Sequence, residues 1–220
     1  MNRRPHYFRI AAVSLFFEDR KKGLISLGLN GDMYPGYYES QEQKFKNKFP
    51  SIYKIYEEQN LISHLPLVIR DGINAERDNP VVDRSVDKFY NSYLHIVAET
   101  YQDYSSKRAF FSEKIFKPIM FMQPFVIIGE AYALKNLKSL GYQTFDKFID
   151  ESYDTIIDDE HRMYASIKSA KDFYNKPQEE LNDIMIEILP ILTHNISHLY
   201  YRCQMNDVLM KNQLLEFLHE

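Results

Sequence analysis

Apolar positions along the chain change their period several times, and each change marks an element. From His6 to Arg20, "HYFRIAAVSLFFEDR", residues Phe8, Ala11, Ala12, Leu15 and Phe16 recur at helical spacing and predict a helix. The following "GLISLGL" is short, apolar and bounded by glycines, the signature of a strand. Residues 31–40, "GDMYPGYYES", form a turn-rich connection. "SQEQKFKNKFPSIYKIYEEQN" mixes lysine and glutamate with spaced aromatics, which predicts helix broken at Pro50. "HLPLVIRDG" then supplies a second short apolar run of strand type.

The pattern is sharper in the second half. "KFYNSYLHIVAET", Lys88 to Thr100, predicts a helix end followed by a strand near Tyr93–Ala98. A polar loop, Tyr101 to Arg108, leads to "FFSEKIFKPIMFMQPFVIIG". Here Ser112 is placed as an N-cap, Glu113 and Lys114 fall in the first helical turn, and Ile115, Ile119 and Met122 share one face. Gln123-Pro124 breaks the helix, and "PFVIIG" reads as a buried strand. "AYALKNLKSLG" is an amphipathic helix closed by Gly141, "YQTF" a short strand, and "DKFIDESYD" an acidic connection. From Asp158 to His219 the spacing is helical almost throughout, with Pro177 opening one helix and Pro190 bending it.

Alternating strands and helices from Leu24 to Phe145 imply an α/β fold on a parallel sheet. Two units follow from the pattern: an α/β domain over 1–157 and a helical C-terminal extension, 158–220, packed on it. Ligands on such sheets bind at the carboxyl ends of the strands. Glu99 ends one strand and Glu113 opens the next helix, so both carboxylates fall on that edge.

Composition narrows the function classes. A chain of 220 residues, 45% hydrophobic and 26% charged, can bury a sizeable core. Its formal charge of −4 argues against nucleic acid as the main partner. The single cysteine, Cys203, excludes a disulfide framework and a thiolate cluster, and points to a reducing, cytoplasmic setting. Its aromatic helical context predicts a buried thiol. No apolar run is long enough for a membrane-spanning helix, and the basic start "MNRRPHYFRI" does not read as a secretory signal. With 17 tyrosines, 15 phenylalanines and only 7 glycines, the chain has an aromatic core and no glycine-rich phosphate loop.

Two readings compete for Glu113-Lys114. A carboxylate at a helix N-terminus is favoured by the macrodipole and caps free N–H groups. The same pair fits a ribose beside a diphosphate, with an acceptor for the sugar hydroxyls and a cation for the phosphates. "LHIVAETYQDYSSKRAFFSEKIFKPIMFMQPFVIIG" resembles the donor-binding segment of α-1,3-fucosyltransferases and related GT-B glycosyltransferases. The family pattern is a strand ending in Phe-Glu-Asn, a loop, Thr-Glu-Lys, a helix and an apolar strand. That resemblance implies a Rossmann-like sheet of the GT-B C-terminal-domain type. It implies that Glu113 contacts the nucleotide ribose and Lys114 the diphosphate, with Ser112 in place of threonine. Glu99 matches the first motif, where Thr100 replaces asparagine. It further implies a nucleotide-diphosphate sugar as donor substrate, no resident cofactor and no metal. The chain as a whole also resembles a group of phage and bacterial proteins sharing "NRRP", "SEK", "QPF", "DESYD" and a late "HN", a likeness that supplies no reaction. A GT-B enzyme has two such domains, with the acceptor and often the base on the other.

Other candidates surround this pair. Arg4 and Arg9 are arginines suited to a diphosphate, against the alternative of an exposed basic terminus. In "DESYD", Asp150, Glu151 and Asp154 invite a metal reading, but helix capping is the simpler role, with Glu151 the candidate base facing the cleft. His194 and His198 are one helical turn apart without a third ligand, and Thr193 to Asn195 would support the cleft. Two functions follow from different classes. One is a glycosyltransferase acting on an unknown acceptor, with Lys114 and Glu151 catalytic and Glu99, Ser112, Glu113, Lys114, Arg4 and Arg9 binding the donor. The other is a non-catalytic virion or accessory protein, whose C-terminal helices meet a second copy or a partner chain.

Overall fold

A computed structural model describes residues 5–29, 35–67, 89–99 and 111–219, with side chains described as far as Asn206 and at Val208. Arg4, Thr100 and the loop Tyr101 to Arg108 lie outside the described residues.

Helix α1, Tyr7–Phe16, buries Phe8, Arg9, Ile10, Ala11, Ala12, Val13, Ser14 and Phe16, more of its circumference than the apolar stripe predicted. A helix this apolar belongs inside a core, and helices close over it from several sides. Helix α2, Tyr37–Lys48, and helix α3, Pro50–Glu58, both pack on α1. Pro50 opens α3 at its first turn, where a missing N–H costs nothing, while Phe49 is fully buried at the junction.

Strand β1, His95–Ala98, and strand β2, Phe125–Ile128, pair in parallel, with His95 opposite Phe125 and Ala98 opposite Ile128. The ladder extends beyond both ends: His95 N donates to Pro124 O at 2.9 Å and Glu99 N to Ile128 O at 3.0 Å. Helix α4, Glu113–Met120, connects them and packs on β1. The other edge of β2 is met by the buried Tyr153, whose hydroxyl accepts from Ile127 N at 3.3 Å. The fold is thus mixed α/β, mostly helical, with a two-stranded parallel sheet among the described residues.

Two expected strands do not form. In "GLISLGL" only Leu27 engages, in a single antiparallel bridge with Leu67, because Leu27 alone is drawn fully into the core while Leu24 stays 59% exposed. "YQTF" is irregular because the backbone of Gln143 is paired with the side chain of Asn195 instead of a neighbouring strand.

Helix α5, Ala133–Ser139, follows β2, and Gly141 closes it with φ +94°. Helix α6, Asp159–Tyr174, is capped by the Asp158 carboxylate and packs against β2 and α1. The Pro190 bend is a break between two helices at Ile188: α7, Gln178–Glu187, and α8, Leu189–His219. Leu181, Ile184, Ile188 and Leu192 join the one buried cluster that begins at Phe8, so the helical segment shares the core of the sheet. Cys203 is exposed, contrary to expectation, because α8 has left the body of the protein by that point. No helix among the described residues is long and apolar enough to cross a membrane.

Candidate functional site

The carboxyl end of β1 and the first turn of α4 are joined by one buried contact. Glu99, 2% exposed, accepts from the Ser112 hydroxyl at 2.5 Å and lies within 3.3 and 3.4 Å of Ser112 N through its two oxygens. Ser112 in turn caps α4, its Oγ accepting from Lys114 N at 3.3 Å and from Lys114 Nζ at 3.1 Å. The expected cap is therefore present, and it is anchored to the strand by a carboxylate the sequence had placed on the same edge. Both groups are engaged in that anchor, the Lys114 ammonium turns back onto Ser112 Oγ with its side chain 24% exposed, and Glu113 faces outward.

Lys114 Nζ also donates to Glu113 Oε1 at 3.2 Å, and the Glu113 side chain is 67% exposed. Partial burial would raise the Glu113 carboxyl, but the helix-start backbone N–H, Lys114 and the Arg9 guanidinium together hold it below the usual range. The charge of Arg9, on α1, is the smallest of these contributions to the Glu113 carboxyl. Arg9 is itself 8% exposed, far from the exposed basic terminus that was its alternative. Of the predicted donor-site residues, Glu99, Ser112, Glu113 and Lys114 are joined by hydrogen bonds at the start of α4.

Two residues not singled out from the sequence act electrostatically together with Arg9. His6, at the N-cap of α1 and one turn before Arg9, is held at about 4 by burial and by the positive charges of Arg9 and Lys44. Its spacing from Arg9 was the available signal. Lys44, on α2, adds a second cation on that side.

Glu151 is placed elsewhere. It accepts from Thr144 Oγ1 and Phe145 N, each at 2.7 Å, and pairs with Lys138 at 3.3 Å. Burial raises its carboxyl, against the opposing pull of those partners. Its partners brace the turn after α5, not the start of α4. Asp154 receives Leu134 N at 2.7 Å and Lys135 N at 3.0 Å, capping α5, and Asp150 receives Ser152 N at 2.9 Å. The capping reading of "DESYD" holds for Asp154 and Asp150; among the described residues no three His, Cys, Asp or Glu side chains are grouped as metal ligands.

The late "HN" is also a brace. His194 and His198 Nε2 lie 2.9 and 2.8 Å from the carbonyls of Gly141 and Leu140, and Asn195 exchanges two hydrogen bonds with the Gln143 backbone. Comparison with known proteins adds no neighbour: no family model, no curated protein and no solved structure matches the chain.

Proposed function

We propose that the start of α4 is the donor site of a glycosyltransferase-like protein on a Rossmann-like scaffold. Glu113 accepts the ribose hydroxyls of a nucleotide-diphosphate sugar, and Lys114 meets the diphosphate at the positive end of the helix. Arg9 supplies a second cation from α1, and Arg4 extends the same basic segment. Glu99 and Ser112 position the helix start instead of touching the ligand. Transfer to the acceptor proceeds by positioning and by stabilising the diphosphate leaving group, with Lys114 carrying the charge. The observation that carries this reading is the Glu113-Lys114 pair on the first turn of α4, which Ser112 and Glu99 anchor to the carboxyl end of a parallel strand.

The test is a thermal-shift screen with UDP-, GDP- and CMP-linked sugars. Saturation at about 100 times Kd stabilises by about 2.7 kcal/mol, a shift of several degrees. Lys114→Ala and Glu113→Gln are expected to abolish the shift while leaving the unliganded melting temperature within a degree or so. A shift that survives both substitutions overturns the assignment.

The second reading, a non-catalytic virion or accessory protein, is favoured by the apolar residues along α8. Tyr200, Tyr201, Met205 and Val208 are 66, 58, 40 and 50% exposed. Absence of any shift in the screen would favour it.

A further inference from the structure

The start of α1 departs from the usual placing of acids at the positive end of a helix. Its first turn holds no acidic residue, and its N-cap, His6, makes no capping hydrogen bond. Arg9, one turn on, is 8% exposed, so a guanidinium is held inside the protein where the helix field opposes it. Both side chains lie against one fully buried ring. The His6 ring is 4.8 Å and the Arg9 guanidinium carbon 5.4 Å from the centre of Phe8.

Helix α2 brings a third group to this place. Gln41, buried on α2, accepts from Tyr7 N at 3.2 Å and so fixes that face of α2 on the start of α1. Lys44 is one turn further along the same face and is exposed to solvent. Its neighbours three and four positions away, Ser40, Gln41, Asn47 and Lys48, include no acid, and among the described residues Lys44 makes no ion pair. The imidazole is equally unspent. Neither ring nitrogen of His6 has a hydrogen-bond partner among the described residues, and Nδ1 is sealed from water. Burial acts on the ring first, and the two charges that add to it, Arg9 and Lys44, are both positive. Buried polar atoms that lack a partner are uncommon in folded proteins, and a donor ring beside two cations suits an oxyanion.

We propose that the start of α1 is a phosphate site, formed by the His6 ring and the Lys44 ammonium, with Arg9 behind them setting the positive field. His6 Nε2, the nitrogen that is not sealed, donates to one phosphate oxygen and Lys44 Nζ to another. Lys44, being exposed, marks the side from which the anion enters. Two sources share this chemistry: free inorganic phosphate, and the diphosphate of the donor proposed above. The site is probed without nucleotide or sugar, so it stands if the donor assignment fails.

Thermal denaturation of the full chain in inorganic phosphate or pyrophosphate, against sodium chloride at matched ionic strength, tests it. The expected result is a rise in melting temperature that saturates with phosphate or pyrophosphate and is absent with chloride. Lys44→Ala, at an exposed position, weakens the apparent affinity roughly tenfold and leaves the ligand-free melting temperature unchanged. His6→Leu removes the unpartnered ring, so the ligand-free chain keeps or gains stability while the phosphate response weakens. His6→Gln returns a donor near the position of Nε2 and recovers that response. An imidazole with only a packing role gives the reverse, a less stable chain with an unchanged response, and overturns the assignment. Lys114→Ala identifies the source: an unchanged response supports a free-phosphate site, and a weakened one supports the diphosphate of the donor. A response no larger than that to matched chloride overturns the proposal, as does one indifferent to both Lys44→Ala and His6→Leu.

Discussion

The Ser112 hydroxyl donates to Glu99 and accepts from both nitrogens of Lys114, so the start of α4 depends on a single oxygen. Ser112→Ala removes the cap and leaves a buried carboxylate short of its donor. Loss of about 2 kcal/mol is expected in urea unfolding, and Ser112→Thr should recover most of it. Glu113→Gln, by contrast, is expected to change stability by less than about 0.5 kcal/mol because the side chain is largely exposed. That difference separates the group that builds the helix start from the group proposed to face a ligand. A pH dependence belongs to the same scale. His95 stacks on Phe89 and is held at about 4, by burial first and by Lys117 next. The unfolded chain takes up this proton near 6.5 and the folded one does not, so stability is full above pH 6.5 and declines as pH falls toward 4. His6 acts in the same direction. Melting temperatures from pH 7 to 4.5 should therefore fall, and His95→Phe should flatten the slope. The cap was legible because Ser112, Glu113 and Lys114 are sequence neighbours. The buried bond to Glu99 was not, since only the fold brings a residue thirteen positions away into contact.

Between elements, the contact of α8 with the turn after α5 shows how the motifs of this chain are spent. Gly141 ends α5 with φ +94°, and a Cβ there would lie 2.7 Å from the His198 ring. Gly141→Ala therefore meets both a strained backbone and a steric block. We expect a loss of about 2–3 kcal/mol, only partly recovered by His198→Ala, because the smaller side chain removes the clash but not the left-handed φ. Asn195→Ala removes a buried amide and strips both of its hydrogen bonds from the Gln143 backbone, and should cost about 2 kcal/mol, read by urea unfolding. The sequence marked Gly141 as a helix end because glycine is the usual residue there. It could not show that Asn195 completes the Gln143 backbone, and so "YQTF" looked like a strand. The acidic run behaved alike: Asp154 and Glu151 satisfy N–H groups of α5 and of the turn after it, partners that lie several to twenty residues away. Periodicity locates helices and buried strands. It is silent on which side chains replace a missing strand.

At the scale of the molecule, Arg162 joins parts that the sequence pattern had divided near residue 157. This side chain, 3% exposed, donates Nε to Gly129 O at the end of β2 and Nη1 to Ile156 O and Ile157 O, and pairs with Asp159. Helix α6 brings it there, and the same helix packs Ile167, Ala170 and Phe173 into the cluster shared with α1 and β2. A second set of ties runs from α6 to the N-terminal helices. Glu160 accepts from Ser51 N and Ile52 N at the start of α3, and Asp19 binds Tyr174 and Lys171 near the end of α6. A fragment of residues 1–157 would lack the helix that covers one side of α1 and β2, exposing Phe8, Val126 and their neighbours to water. It should accordingly be unfolded or aggregated, with no cooperative transition, whereas the full chain should unfold in one step. With no tryptophan present, tyrosine fluorescence and far-ultraviolet dichroism are the probes. Coincident urea curves from the two are expected. Arg162→Ala tests the same unity inside the intact chain. It leaves three carbonyls and Asp159 without their buried donor, so a loss of about 3 kcal/mol is expected. If the fragment 1–157 instead melts cooperatively with native-like dichroism, the helical segment is a separate unit and Arg162 a local clamp.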